Sequence, residues 1–160
     1  MFRAIRRFVR RLLRGTGRRK SRPRHDRPPQ DVRKALDQVN AFRKRNGRAP
    51  VAYDSRAYRL ARARLRDLDR HHYFAHKNPR TGASPATMKS AFGFTSSEYA
   101  AENLFGGGMS GDFRQAIRAW TRSPLHRQNL LWDHQGCAIA SYKGNVVFIG
   151  VNRSGLGFAY

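Results

Sequence analysis

The chain has 160 residues, 39% of them hydrophobic, one cysteine, and a formal net charge of +23 from 33 Lys+Arg against 10 Asp+Glu. A disulfide scaffold is excluded because Cys137 has no second cysteine to pair with inside the chain. A spanning helix is excluded because no apolar run comes near the ~20 residues that a bilayer requires. The charge is unevenly divided: the first 30 residues hold 12 Lys+Arg and one acid, +11, and the remaining 130 hold 21 and nine, +12. A basic arm joined to a moderately basic domain follows, and its partner is expected to be anionic, either a membrane surface or a nucleic acid.

At ~100° per residue, residues 2–14 put Phe2, Ile5, Phe8, Val9, Leu12 and Leu13 in one arc and Arg3, Arg6, Arg7, Arg10, Arg11 and Arg14 in another. This division predicts an amphipathic helix over 1–14. It can lie on anionic lipid with its apolar side in the headgroup boundary, set arginines on phosphates, or pack on its own domain. Arg6-Arg7-Phe8-Val9 superficially looks like a twin-arginine signal, but Arg10-Arg11-Leu12-Leu13-Arg14 interrupts the ~7 to 15 apolar residues that a leader needs. The arm is therefore expected to be retained. With a single thiol, an intracellular setting or a place in a larger assembly is expected. Residues 15–30, GTGRRKSRPRHDRPPQ, have no hydrophobic periodicity and read as a tether. Its Arg18, Arg19 and Lys20 join the six arm arginines as expected contacts to the anionic partner.

A folded domain is expected over 31–160. Asp31 reads as an N-cap, and Val32, Ala35, Leu36, Val39 and Phe42 follow at helical spacing up to Asn46-Gly47. Asp54 caps a second helix in which Ala57, Ala61, Leu65 and Leu68 form the apolar stripe. Its arginines 56, 59, 62, 64, 66 and 70 read as a solvated face. Ser84-Pro85 and Ser123-Pro124 each have the form of a capped helix start with proline at the first position. Asp112 precedes Phe113, Ala116, Ile117 and Trp120 at i, i+3, i+4, i+7. Residues 137–142 and 146–151 are short, β-prone and separated by Lys143-Gly144-Asn145, an antiparallel hairpin. Helices first and hairpin last predict an α+β layered domain without a parallel sheet.

Three stretches carry the chemistry: Tyr73-Phe-Ala-His76-Lys-Asn-Pro79, Ala101-Glu102-Asn103-Leu104, and Trp120-Thr-Arg-Ser123-Pro-Leu-His126-Arg-Gln-Asn129. In this order and with these intervals they resemble the CAP superfamily, the SCP-like proteins, in its compact bacterial form. The resemblance covers about Asp31 to Asn152. It implies a three-layer α-β-α sandwich with a central antiparallel sheet and a groove lined by histidines and acids, here His76, Glu102 and His126, with Asn103 and Ser123 beside them. Many members carry a second glutamate where this chain has Ser123, so a triad replaces a tetrad. Ala75, Ala101, Leu125 and the inserted Arg80-Thr81 also depart from the pattern, and Leu125 is expected to narrow the groove.

Two imidazoles and a carboxylate are the ligand set of an open zinc site, so zinc is a candidate cofactor at His76, Glu102 and His126. The alternatives are a hydrogen-bonded cluster that holds the groove walls and a catalytic cluster using Glu102 and His126. No catalytic group is firmly assigned, and Ser123 is accounted for as a helix cap rather than a nucleophile. Asn103 and Asn129 are expected to bond to backbone, Trp120, Trp132, Phe74 and Phe105 to form core or groove wall, and His134 to sit in a turn. These observations predict a CAP-type binding or scaffold module with an unidentified groove ligand, delivered to an anionic surface by its arm. The rival readings are a nucleic-acid-associated structural protein of a virion or ribonucleoprotein, with a protein assembly partner, and a hydrolase.

Overall fold

A computed structural model describes residues 27–107 and 111–153. The expected helix over 1–14 and the tether up to residue 26, with Arg3, Arg6, Arg7, Arg10, Arg11, Arg14, Arg18, Arg19 and Lys20, lie outside the described residues, as do residues 154–160.

Helix α1, Gln30–Arg45, has Pro29 at its N-cap with no side-chain bond, and Asp31 stands in the first turn instead of capping it. The carboxylate there still meets the positive end of the helix dipole, which a negative charge favours anywhere in that turn. Asp54 does cap α2, Ser55–His71, its carboxylate accepting from the backbone N–H groups of Arg56 and Ala57. The short α3, Pro85–Met88, opens with a reciprocal box between Ser84 and Thr87 and runs into a 3-10 turn, Lys89–Phe92. Strand β1, Tyr99–Phe105, follows. Helix α4, Phe113–Arg122, is capped by an Asp112–Gln115 box, and α5 is Pro124–Leu131. Strands β2, Gly136–Tyr142, and β3, Asn145–Asn152, complete the order. None of the described helices is long and apolar enough to cross a membrane.

The sheet order is β1-β3-β2, with both pairings antiparallel. The expected hairpin forms β2 and β3. Its turn is tighter than three residues, because Tyr142 already pairs with Asn145. Lys143 and Gly144 take φ of 48° and 79°, the left-handed pair that matches the twist of the flanking strands. One parallel bridge, Tyr53 to Cys137, ties the segment before α2 to the edge of β2.

Successive strand residues point to opposite faces, and this alternation builds the three layers. Cys137, Ile139, Val146 and Phe148 face α1, α4 and α5, packing with Val39, Phe42, Ile117 and Trp120. Ala138, Ala140, Val147, Ile149 and Val151 face α2, packing with Leu60, Leu65 and Leu68. The domain is thus an α-β-α sandwich. Each buried leucine contributes roughly 1.5–3 kcal/mol by leaving water. Strand β3 lies in the centre with both faces covered, which is why it reads as an unbroken apolar run. The indole Nε1 of Trp120 donates to the carbonyl of Leu104 at 2.9 Å and ties α4 to β1.

The arginine face of α2 departs from expectation at two positions. Arg59, Arg62, Arg66 and Arg70 are exposed, but Arg64 is fully buried and Arg56 only partly exposed. Arg64 lies four residues after Leu60 and four before Leu68, on the stripe that faces the sheet.

Candidate functional site

Strand alternation divides β1 between the two layers. Ala100 and Leu104 pack with the α2 side, and Glu102 between them points the same way, to Arg64. Asn103 points to the α5 side. Glu102 is 1% exposed. Its Oε2 accepts from Arg64 Nε at 2.9 Å, and its Oε1 lies 3.4 Å from Arg64 Nη2 and 3.0 Å from His76 Nδ1.

Arg64 does more than balance this carboxylate. Its Nη2 donates to the carbonyls of Ala75 and His76 at 3.0 and 3.1 Å, and its Nη1 to Tyr73 Oη at 2.7 Å and Asp67 Oδ2 at 3.2 Å. One guanidinium therefore ties α2 to the segment carrying His76. Burial opposes its charge, but the hydrogen bond and attraction of Glu102, and then Tyr73, prevail and raise its pKa. Burial, followed by the hydrogen bond to Asp67, pushes the Tyr73 phenol up to about 12. Asn78 closes the segment: its Nδ2 donates to Asp67, and its Oδ1 accepts from the backbone N–H groups of Arg80 and Thr81.

On the other side of β1, a polar chain runs from the core to His126. His134 Nε2 meets the carbonyl and Oδ1 of Asn129 at 2.8 and 3.1 Å. Asn129 Nδ2 donates to Asn103 Oδ1 at 2.8 Å, and Asn103 Nδ2 donates to the carbonyl of His126 at 3.0 Å. Asn103 bonds to backbone as expected, whereas the Asn129 amide bonds to a side chain. His134, expected in a turn, is 7% exposed. Its histidine pKa falls to about 4, chiefly through burial, with the Asn129 carbonyl opposing and Arg43 adding to the fall.

Ser123 departs from its expected role. It occupies the N-cap of α5 with Pro124 behind it, yet its hydroxyl accepts no backbone N–H. Instead Oγ lies 2.9 Å from His126 Nδ1. Burial, and then the nearby His76, lower the pKa of His126, so this imidazole keeps its neutral form to lower pH than a free one.

His76, Glu102, Asn103, Ser123 and His126 are thus brought together by β1, the start of α5 and the segment after α2. The zinc arrangement does not form. Among the described residues no three His, Cys, Asp or Glu side chains are grouped to hold a metal ion. The physical reason is Arg64: both Glu102 oxygens already face its guanidinium, and a dication there would meet a fixed positive charge. Donor types alone therefore do not make a metal site of this triad.

Phe74 and Leu125 are exposed to solvent, at 43% and 54%. Of the two places expected for Phe74, core and groove wall, its exposure excludes the core. Phe74 packs on Gly107, where a Cβ would come within 2.9 Å of its ring. Arg64, Asp67, Tyr73 and His134 were not singled out by sequence reasoning. For Arg64 a signal existed, since it is seven residues after Ala57, three after Ala61 and four before Leu68. For His134 there was none, because its burial depends on Gly150 in another element.

Similarity to known proteins agrees with this fold. The model of the CAP family, described as the cysteine-rich secretory protein family, matches residues 36–152. The uncharacterized protein YkwD of Bacillus subtilis is 33% identical over 99 residues, 62% of this chain and 37% of YkwD. The crystal structure of an extracellular protein containing an SCP domain from Bacillus anthracis superposes with a TM-score of 0.66 at 23% identity, over 76% of this chain and 40% of that one. An outer surface protein of Borrelia burgdorferi superposes with a TM-score of 0.60 at 16% identity, over 74% of this chain and 88% of that one. The chain therefore spans less than half the length of the two Bacillus proteins. Because the family model matches residues 36–152, more than half of the chain and all three motif stretches, the chain belongs to the CAP family.

Proposed function

We propose that the chain is a CAP-type binding module, whose His76/Glu102/His126 groove holds a ligand and whose basic N-terminal arm brings it to an anionic surface. The observation that supports this best is the way Glu102 is held. Its oxygens face Arg64 and His76 and its side chain is 1% exposed, so it acts as a strut for the groove wall. The side chains that a ligand could reach are His76, 41% exposed, and the half-buried His126 and Ser123. The arm's part rests on the two-faced sequence of residues 2–14.

Sedimentation with phosphatidylglycerol vesicles and with neutral phosphatidylcholine vesicles, using the full chain and a chain lacking residues 1–30, tests the delivery step. Binding to the anionic vesicles alone, retained in part at raised salt and lost with the arm, is the expected result, because apolar insertion adds attraction that salt does not screen. Equal binding by the shortened chain would rule the arm out.

The hydrolase reading keeps one favourable observation, the 2.9 Å contact between Ser123 Oγ and His126 Nδ1. It lacks the orienting acid, since Glu102 is engaged by Arg64 and His76 instead of His126. Turnover of an ester, peptide or glycan substrate that disappears in Ser123→Ala and His126→Ala would favour it over simple binding.

A further inference from the structure

The layer formed by α1, α4 and α5 carries a second feature, remote from Glu102 and turned away from α2. A cleft of about 470 Å³ opens between these helices, lined among others by Phe42, Arg45, Ile117, Arg118 and Arg127. Its floor is apolar, because Phe42 and Ile117 are 7% and 5% exposed. Its rim is cationic. Arg127 is held in place: its Nη2 donates to Asn46 Oδ1 at 2.8 Å, and its guanidinium lies 5.5 Å from the centre of the Phe42 ring.

The rim continues along α4. Arg114, Arg118 and Arg122 are all exposed and follow one another at i, i+4 and i+8, which stacks three like charges on one face about 6 Å apart along the axis. Like charges at this spacing weaken a helix, and a helix usually relieves them with an interleaved acid. Here none is interleaved: the acid nearest in sequence is the cap, Asp112, whose carboxylate serves the Gln115 N–H. Among the described residues no ion pair involves Arg45, Arg114, Arg118, Arg122 or Arg127.

We propose that the cleft between α1, α4 and α5, with the arginine row of α4, is a binding surface for the phosphate backbone of a single nucleic-acid strand. Rows of cations at this pitch follow successive phosphates, and guanidinium forks take phosphate oxygens two at a time. The Phe42 ring already lies under the Arg127 guanidinium and is 7% exposed, so the cleft recognises the phosphates of the strand and not its bases. A concave cleft favours a thin strand over the flat face of a bilayer. Among the described residues Leu125 on α5 is the exposed large apolar side chain of this layer, and it does not line the cleft.

The test uses the full chain, so the arm is the same in every variant. Arg118→Gln, Arg122→Gln and Arg127→Gln are combined in one protein, and Arg59→Gln, Arg62→Gln and Arg66→Gln, exposed on α2, in another with the same loss of charge. Affinity for a labelled 20-nucleotide single strand is measured across a salt series, alongside phosphatidylglycerol vesicles and inorganic phosphate, with circular dichroism to confirm that both proteins fold. The cleft variant is expected to lose on the order of tenfold in affinity or more and about 2 units of salt slope, at ~0.7 per neutralised phosphate on a single strand. The α2 variant is expected to change far less. Equal losses in the two variants would reduce the effect to net charge and overturn the proposal. So would a cleft variant impaired toward vesicles but not toward the strand.

Discussion

The guanidinium of Arg64 and the carboxylate of Glu102 meet at 2.9 Å, from side chains that are 0% and 1% exposed and belong to different layers of the sandwich. An ion pair this deep is stable only as a pair, because either charge alone would be stranded in a medium that solvates it poorly. Arg64→Met and Glu102→Leu should each lower the unfolding free energy by about 3–5 kcal/mol. The double variant should recover much of that loss, since two apolar groups can fill the space that the pair leaves. Urea denaturation of the four proteins decides the matter. Single effects that simply add in the double variant would mean that the two side chains act independently.

The same pair leads to a prediction about zinc. With both carboxylate oxygens turned to Arg64, a Zn²⁺ titration of the full chain followed by NMR should leave the ring signals of His76 and His126 where they are. A saturable zinc shift of both rings at micromolar metal, abolished by Glu102→Gln, would show that the guanidinium does not guard the carboxylate.

How much of this could be read in the chain differs from one residue to the next. The caps at Asp54 and Ser84 were legible because an N-cap is a local event, decided within three residues, whereas Asp31, read the same way, stands in the first turn behind Pro29. Ser123 shows the limit of that logic. The Ser-Pro pair marks the start of α5 correctly, but its hydroxyl had two available partners, and His126, one turn along the same helix, is the one it takes. His76, Glu102 and His126 lie 26 and 24 positions apart, so no periodicity joins them, and only the family pattern did. Arg64 was hidden by its residue type. Its position on the stripe calls for burial while its charge suggests solvent, and what decides between them is Glu102, which reaches it from a strand 38 positions later.

Acid should weaken the fold in two separate steps, with signs fixed by the direction of each shift. The folded pKa of His134 lies near 4, below the ordinary 6.5. Between those values the unfolded chain binds the proton and the folded chain resists it, so stability is complete above pH 6.5 and declines as pH falls toward 4. The loss is on the order of 3 kcal/mol. Glu98 is held down to about 2, first by its hydrogen bonds from Arg56, against burial, and then by the Thr95 N–H. Its contribution is present above the usual carboxylate range and is lost as pH falls through 2. Urea midpoints between pH 8 and pH 2 should therefore drop first between 6.5 and 4 and again below that. His134→Gln should flatten the first drop and leave the second. A first drop of full size in that variant would assign it to another group.

Gly150 in β3 faces the ring of His134 so closely that a Cβ there would lie 2.3 Å from Nε2. That nitrogen begins the chain of bonds through Asn129 and Asn103 to the carbonyl of His126. Gly150→Ala therefore cannot be accommodated without moving the imidazole. The β-strand itself tolerates alanine, so the effect comes from crowding, typically about 1–3 kcal/mol of lost stability. The displacement should also travel: the NMR signals of the His126 ring, on the far side of Asn103, should shift in Gly150→Ala. Combining it with His134→Ala, which empties the space that the new methyl needs, should return part of the stability but not the His126 signals, because the first bond of the chain is then gone. If Gly150→Ala lowered stability and left His126 unperturbed, the bonds from His134 to the groove would be mere neighbours rather than a coupled support.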